Sequence, residues 1–522
     1  MISRRAFLAT AAAAVAGPAG TKRPNFLLIL ADDMGFSDVG CYGGEIDTPN
    51  LDRLARGGLR FTQAYSTARC MPSRGCLLTG YHSQQTGMEQ GSQAKPPGWV
   101  KFLPQYLSAQ GYRSYHSGKW HVAGSMPLRD TGFHHSYYLE DQNRFFSPTR
   151  HHLDDQPLPK VNPGDGFYAT TEIADRALGW LKDHQAKHAA DPFFLYLAFT
   201  SPHFPLHAHE DDIRRFRERY LAGWDAVRRE RWRRLEKAGI AKCRPAPLEP
   251  EVRPPWNTAE AELMRQIGPG EVTRAVPWDT LTREQREFQA TKMAIHAAMI
   301  YRMDVHIGRV LDQLRVMRAL DDTVIVFLSD NGASAEQLIR ADGHDPKAAP
   351  GSWASHLCLG SGWASAANSP FRRSKSWVHE GGIASPMIVH WPNGIKARGE
   401  LRRTPCHFVD MAPTLAGLAG IPSPAANSGA PPLPGRSLVP AFARDRTIEK
   451  EYLFFNHADN RAIRQGDWKL VAAGTDGPWE LYDLAKDRGE ATDLAAREPA
   501  RVAAMSQRWL SLQAAFVAQS RG

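Results

Sequence analysis

Phe26-Leu27-Leu28-Ile29-Leu30, followed by Ala31-Asp32-Asp33, is a continuous apolar run that stops at two carboxylates. A strand with apolar residues at every position is covered on both faces, as in a parallel sheet between helices. The pattern recurs. Val324-Ile325-Val326-Phe327-Leu328 ends in Ser329-Asp330-Asn331-Gly332, and Phe193-Phe194-Leu195-Tyr196-Leu197-Ala198-Phe199 runs on to Ser201-Pro202-His203. A weaker strand, Tyr112-Arg113-Ser114-Tyr115, leads to Gly118-Lys119-Trp120-His121. Open α/β sheets bind ligands outside the carboxyl ends of their strands. Four strands delivering polar clusters to that edge predict one shared site.

Helical segments alternate with these strands. Thr48 and Pro49 open one over 48–57 that Gly57 closes, and others are expected over 102–111 and 171–182. A long helix is expected over 285–314, with Met293, Ala297, Ile300, Met303, Ile307 and Leu311 on one face. The fold class is therefore α/β, a large mixed, mostly parallel sheet flanked by helices. Phe216, Tyr220, Trp224 and Val227 fall at helical spacing among many arginines, which predicts an amphipathic surface helix with a solvated charged face. The Pro-rich stretch 245–275 and the Gly/Ser/Ala/Trp-rich stretch 341–369 read as loops. Beyond a Pro/Ala/Ser linker come short strands over 452–456, 461–464, 468–471 and 479–483, then a helix over 500–518. These predict a smaller C-terminal antiparallel sheet, so 21–425 is taken as the main domain and 426–522 as a C-terminal subdomain.

Residues 1–20 read as a targeting segment: Ser3-Arg4-Arg5-Ala6-Phe7-Leu8, then an alanine-rich run with Ala14-Val15-Ala16 as a small-x-small cleavage site. Its apolar part is too short to span a bilayer, and no later run is long and apolar enough for a stable membrane insertion. The segment resembles a bacterial twin-arginine signal, which implies a periplasmic or secreted protein. A formal charge of +9 suits an anionic substrate, but equally nucleic acid or an acidic surface. No nucleic-acid recognition module accompanies it, so nucleic acid is not an expected partner.

The stretch over 67–80 contains Cys70-Met71-Pro72-Ser73-Arg74, followed by Leu78-Thr79-Gly80. A cysteine here stands beside a rigid proline, a hydroxyl and a planar cation suited to an oxyanion. This motif resembles the signature of the type I sulfatases of the alkaline phosphatase superfamily, and the C-terminal pattern Arg464-Gln465-Gly466-Asp467-Trp468-Lys469-Leu470-Val471 resembles their smaller subdomain. The resemblance implies that a formylglycine-generating enzyme converts Cys70 to Cα-formylglycine, whose hydrated aldehyde is the nucleophile. With Cys70 set aside, the other five cysteines allow at most two disulfides, and none has Cys-x-x-Cys spacing.

Asp32, Asp33, Asp330 and Asn331 offer only oxygen ligands, which select a hard cation over zinc. The resemblance implies that these four and residue 70 bind one Ca²⁺, with Mg²⁺ the second choice. It further implies that Arg74, Lys119 and Lys375 stabilise the sulfuryl oxygens. His203, with Lys375, protonates the leaving alcohol, and His121 deprotonates the remaining hydroxyl of the hydrate. Lys119 and His121 stand two apart, so in an extended segment they project to one side. His116, His207, His209, His379 and His457 match nothing in the family pattern and read as structural. Tyr81 replaces an arginine common in relatives.

The expected function is hydrolysis of small sulfate esters, aryl or alkyl and in competition with sulfated carbohydrate, most like the bacterial arylsulfatases. A phosphodiester or phosphonate monoester hydrolase on the same scaffold is the enzyme alternative. A non-catalytic polyanion-binding protein using the basic insertion is the alternative from another class.

Overall fold

In the computed structural model, which describes residues 23–89, 95–122, 126–339, 344–421 and 429–521, the first apolar run is the centre of the main sheet. That sheet has eleven strands among the described residues: β1 (Asn25–Ala31), β2 (Leu59–Tyr65), β3 (Arg113–Gly118), β4 (His135–Tyr138), β5 (His152–Leu153), β6 (Gln156–Pro157), β7 (Phe193–Ala198), β8 (Thr323–Ser329), β9 (Ala384–His390), β10 (Glu400–Arg402) and β11 (Cys406–His407). Their order is β10-β2-β9-β8-β1-β7-β3-β4-β5-β6, with β11 also alongside β2. Leu27, Ile29 and Ala31 of β1 enter one core, shared with the helix Arg283–Val316, while Phe26, Leu28 and Leu30 enter the core on the opposite face. Burial on both faces is why the run has no polar position.

Register places the strand ends level. Ala31 pairs with Ser329 and Leu30 with Ala198, and Gly118 of β3 also pairs with Ala198, all in parallel. β9 runs antiparallel to both β8 and β2, so the chain enters β9 at the edge where the parallel strands end. The segment before β9, which carries Lys375, therefore lies at that edge. So does the segment after β2, which carries Cys70.

The smaller sheet is β12 (Leu453–His457), β13 (Asn460–Gln465), β14 (Trp468–Ala472) and β15 (Glu480–Asp483), antiparallel throughout. One face packs Phe454, Ile463, Leu470 and Leu481 on Met505, Trp509, Leu512 and Phe516 of the helix Pro499–Gln519. The other face joins the main core through Phe455, Ala462, Val471 and Tyr482. A buried ion cluster ties the sheet down: Glu380 meets Lys469 at 3.1 Å and Arg488 at 2.8 Å, and Lys469 meets Glu490 at 2.8 Å.

Several local expectations change. The basic insertion forms two helices, Glu210–Phe216 and Gly223–Lys237, because the chain turns at Gly223 with φ +83°. Its charged face is not wholly solvated, since Arg231 is fully buried against Asp38 and Glu45. The expected loops contain helices Glu260–Ile267 and Ser361–Ala367. Thr48 does not cap the helix Pro49–Arg56, because its Oγ1 accepts from the Gly40 N–H instead. All six cysteines are free, so neither allowed disulfide forms. Among the described residues no helix is long and apolar enough to cross a membrane. The targeting segment 1–20 and the boundary at 425/426 lie outside the described residues.

Candidate active site

Each candidate side chain follows from a strand end. Asp32 and Asp33 leave β1, and Asp33 turns the chain at φ +62°. Asp330 and Asn331 leave β8, and His203 follows β7. Gly118 ends β3 at φ +115°, where a Cβ would lie 1.9 Å from the Ala198 carbonyl oxygen, so only glycine lets Lys119 turn into the site. Cys70 is the first residue of the buried helix Cys70–Thr79, at the end whose unpaired N–H groups favour negative charge. The Ser73 hydroxyl holds the entry turn, 2.9 Å from Thr67 Oγ1 and 3.1 Å from the Thr67 nitrogen.

Cys70 Sγ lies 3.5 Å from Asp32 Oδ1 and 3.9 Å from Asp33 Oδ1. Lys119 Nζ donates to Asp32 Oδ2 at 2.6 Å, and Lys375 Nζ to Asp33 Oδ2 at 2.8 Å. Arg74 grips Asp330 Oδ2 through Nε at 2.9 Å and Nη2 at 2.8 Å, while its Nη1 donates to the Lys119 carbonyl. Asn331 Nδ2 donates to Asp33 Oδ1 at 2.8 Å. His203 Nε2 stands 3.3 Å from Lys375 Nζ and 3.6 Å from Asp33 Oδ2. Ligand atoms of Asp32, Asp33, Cys70 and His203 all fall within 4.8 Å of one another, so this buried group can hold a metal ion.

A family model described as sulfatase matches residues 24–421. The chain belongs to the sulfatase family. It is a hydrolase of sulfuric esters. A second model, the C-terminal part of N-sulphoglucosamine sulphohydrolase, matches 372–514. An uncharacterised sulfatase of Schizosaccharomyces pombe is 32% identical, over 95% of this chain and 94% of that one. The arylsulfatase of Klebsiella aerogenes is 31% identical, over 86% of this chain and 99% of its own length. The crystal structure of Ps i-CgsB with k-i-k-neocarrahexaose superposes with TM-score 0.67 at 24% identity, covering 94% and 93% of the two chains. The phosphonate monoester hydrolase of Agrobacterium radiobacter shares the fold at TM-score 0.59 and 20% identity, covering 95% and 96%. The fold thus serves both chemistries, and it is the family match that separates them here.

The electrostatics of this sulfatase site are those of charged side chains held out of water. Burial chiefly, then Asp330 and Asp32, push the Cys70 thiol up to about 12, against the pull of Lys119 and Lys375. An unmodified thiol here is protonated at neutral pH and a weak nucleophile. Burial, with Asp330 and Asp33, also raises Asp32 above the usual carboxylate range although Lys119 and Arg74 oppose it. Burial opposes the charge of Lys375, but Asp33 and Glu336 overcome it and hold its ammonium above the ordinary lysine range. Burial, then Lys375 and Lys119, drive His203 well below the ordinary histidine range.

The donor set suits a hard divalent cation. Asn331 Oδ1 is buried with no hydrogen-bond partner among the described residues, beside carboxylates that repel one another.

All the sequence-derived site residues gather at this edge, with one change of conformation. His121 is not in an extended segment: its φ is +46°, so alternation does not set its direction. Burial, then Lys119, Arg74 and Lys375, depress its imidazole, and its Nδ1 is buried with no partner among the described residues. Sequence reasoning missed Glu336, whose Oε2 is 3.1 Å from Lys375 Nζ and whose Oε1 takes Arg69 Nη1 at 3.0 Å. The signal was its position five residues beyond Asn331, in the loop leaving the same strand end. Burial opposes ionisation of Glu336, yet Lys375 and Arg69 hold it far below the usual range.

Proposed function

We propose that this sulfatase cleaves small aryl or alkyl sulfate esters, with sulfated carbohydrate as the competing class, through formylglycine made from Cys70. The carrying observation is the setting of Cys70 Sγ, within 4 Å of two carboxylates that Lys119 and Lys375 in turn grip. Asp32, Asp33, Asp330, Asn331 and residue 70 would hold one Ca²⁺, with Mg²⁺ the weaker candidate. When bound, the ion supplies a Lewis acid that draws the sulfuryl oxygens and orients them. The aldehyde hydrate at position 70 supplies two hydroxyls, one to attack sulfur and one whose deprotonation expels sulfate by C–O cleavage.

The chain's own residues do the rest. Arg74 orients Asp330 through the Nε hydrogen bond and the Nη2 ion pair, and adds a fixed positive charge beside residue 70. Lys119 and Lys375 stabilise the negative charge that shifts among the sulfuryl oxygens. His203 hands a proton to the leaving oxygen, drawing on the Lys375 ammonium 3.3 Å away. His121, kept neutral by burial and by neighbouring cations, accepts the proton of the second hydroxyl. Glu336 holds Lys375 between two carboxylates and so fixes its direction. Asp32, Asp33, Asp330 and Glu336 face Arg74, Lys119, Lys375 and Arg69, so a divalent ion leaves the pocket net positive for its anion.

The proposal extends to maturation by a formylglycine-generating enzyme, to export into the periplasm or medium, and to a division between 21–425 and 426–522. The test is the intact mass of the peptide containing Cys70, read beside steady-state rates on the sulfate and phosphate esters of one phenol. Loss of the thiol sulfur and preference for the sulfate ester are expected. An unmodified thiol in fully active enzyme, or strong preference for phosphate, refutes the reading.

A further inference from the structure

Trp256 is unusual among the large apolar side chains in being both exposed, at 39%, and pinned. Its indole N–H donates to Glu336 Oε1 at 2.7 Å, and the Arg69 guanidinium carbon lies 5.5 Å from its ring centroid. Glu336 in turn holds Lys375, and Arg69 immediately precedes Cys70. The indole is therefore two contacts from the reacting centre. A ring of this size left partly in water, yet fixed by a buried carboxylate, is a preformed contact surface.

A second element comes from the smaller sheet. His457 ends β12 and pairs with Asn460 across a two-residue turn, Ala458-Asp459, both left-handed. Asn460 Nδ2 donates to the Ser376 carbonyl at 2.9 Å, docking the turn beside Lys375. His457 Nδ1 is shielded from solvent and has no partner among the described residues. Burial chiefly, then Arg69 and Lys375, lower its imidazole to about 3, so it offers a neutral hydrogen-bonding edge. The cations of this rim are already matched: Arg69 by Glu336, Lys375 by Asp33 and Glu336. The rim is not built to take a second anion.

We propose that Trp256, Arg69 and His457 form a leaving-group subsite for a single uncharged ring with a flat apolar face, aromatic or pyranose, that bears the sulfate. The indole stacks on that face, and the His457 edge meets a polar substituent. This rests on the sulfate-ester reading of the same pocket, and it assigns specificity to a loop and a hairpin remote in sequence.

The test compares the full chain carrying modified Cys70 with Trp256→Ala, Trp256→Phe and His457→Ala. The substrates are 4-nitrophenyl sulfate, N-acetylglucosamine 6-sulfate and propyl sulfate. Trp256→Ala is expected to raise KM about tenfold or more for a ring sulfate, with kcat and the propyl sulfate rates changed by no more than about twofold. Trp256→Phe restores most of the loss. His457→Ala lowers kcat/KM about tenfold for the sugar sulfate and less for the nitrophenyl ester. The ring substrate showing the larger selective loss with Trp256→Ala identifies the source of the ring. Equal losses on all three substrates, or none, overturn the inference while wild-type turnover upholds the sulfatase mechanism. A wild type silent on all three overturns both.

Discussion

The Lys375 ammonium lies 2.8 Å from Asp33 Oδ2 and 3.1 Å from Glu336 Oε2, and all three side chains are buried. A lysine in this position cannot leave its charge in solvent, so it brings a fixed cation to the pocket beside His203. The opposed carboxylates also prevent it from releasing a proton cheaply except into a developing oxyanion.

Lys375→Ala is therefore expected to lower kcat on 4-nitrophenyl sulfate by about 100-fold to 1000-fold, the scale of losing one preorganised donor. Lys375→Arg should not restore the rate, because a planar fork does not fit the point between Asp33 and Glu336. Wild-type kcat in the alanine variant would remove Lys375 from the mechanism.

Stability should fall in acid through a histidine remote from the chemistry. His82 is buried among His407, Phe454 and Phe516, where the main domain meets the smaller sheet and the terminal helix, and burial pushes it down to about 3. The folded protein keeps it neutral while the unfolded chain protonates it near 6.5. Its contribution is thus intact above pH 6.5 and declines as pH drops toward 3, by up to about 1.4 kcal/mol per pH unit. Urea unfolding at pH 5, 6 and 7 should show a shallower pH slope for His82→Phe than for wild type. Identical slopes would rule His82 out as the source.

Much of this was legible in the sequence because apolar runs that end in polar clusters specify both a buried strand and the edge it serves. Asp32, Asp330, His203 and Lys119 follow from that pattern, whereas Lys375 follows only from the resemblance of its Glu380-Gly381-Gly382 setting to the family's. What escaped was set by distant partners. Arg231 reads like every other arginine of its run, and only Asp38, 193 residues away, and Glu45 draw it inside. Trp256 sits in a stretch without periodicity, where nothing local announces a carboxylate 80 residues further on. Gly223, a glycine amid helical spacing, marks the break between the two helices of that stretch.

Arg231→Met tests the internal salt network directly. The arginine is fully buried, with Nη1 2.7 Å from Asp38 and Nη2 2.7 Å from Glu45. Removing it takes the cation from the buried Asp38, which keeps His296 Nε2 at 3.0 Å, and from the part-buried Glu45, which keeps the Tyr220 hydroxyl, at a cost of about 3 kcal/mol in unfolding free energy. Denaturant melts should register that loss while kcat of the folded fraction is little altered. A loss below about 1 kcal/mol would mean that solvent reaches the network after all.

Metal removal should be felt by the fold as well as by the chemistry. Dialysis against a chelator is expected to lower the unfolding midpoint, and Ca²⁺ at 100 times its dissociation constant to return about 2.7 kcal/mol. Asn331→Ala, which deletes the unpartnered oxygen, should shift the Ca²⁺ concentration needed for that recovery upward. Calorimetry in the two buffers decides the point, and an unchanged midpoint would count against a cation at Asp32 and Asp33.

The last prediction separates attack from release. Cys70→Ser keeps a single hydroxyl between the helix N-terminus and the Asp32 and Asp33 carboxylates, so it can be sulfated but lacks a second hydroxyl to expel the sulfate. Mixing this variant with excess 4-nitrophenyl sulfate should release at most one equivalent of nitrophenol and then stop. Intact mass should then show a sulfated serine peptide. Cys70→Ala, with nothing to attack sulfur, should give no burst at all. Sustained turnover by the serine variant would mean that water, not the loss of a second proton near His121, removes the sulfate, and the role given to His121 would fall with it.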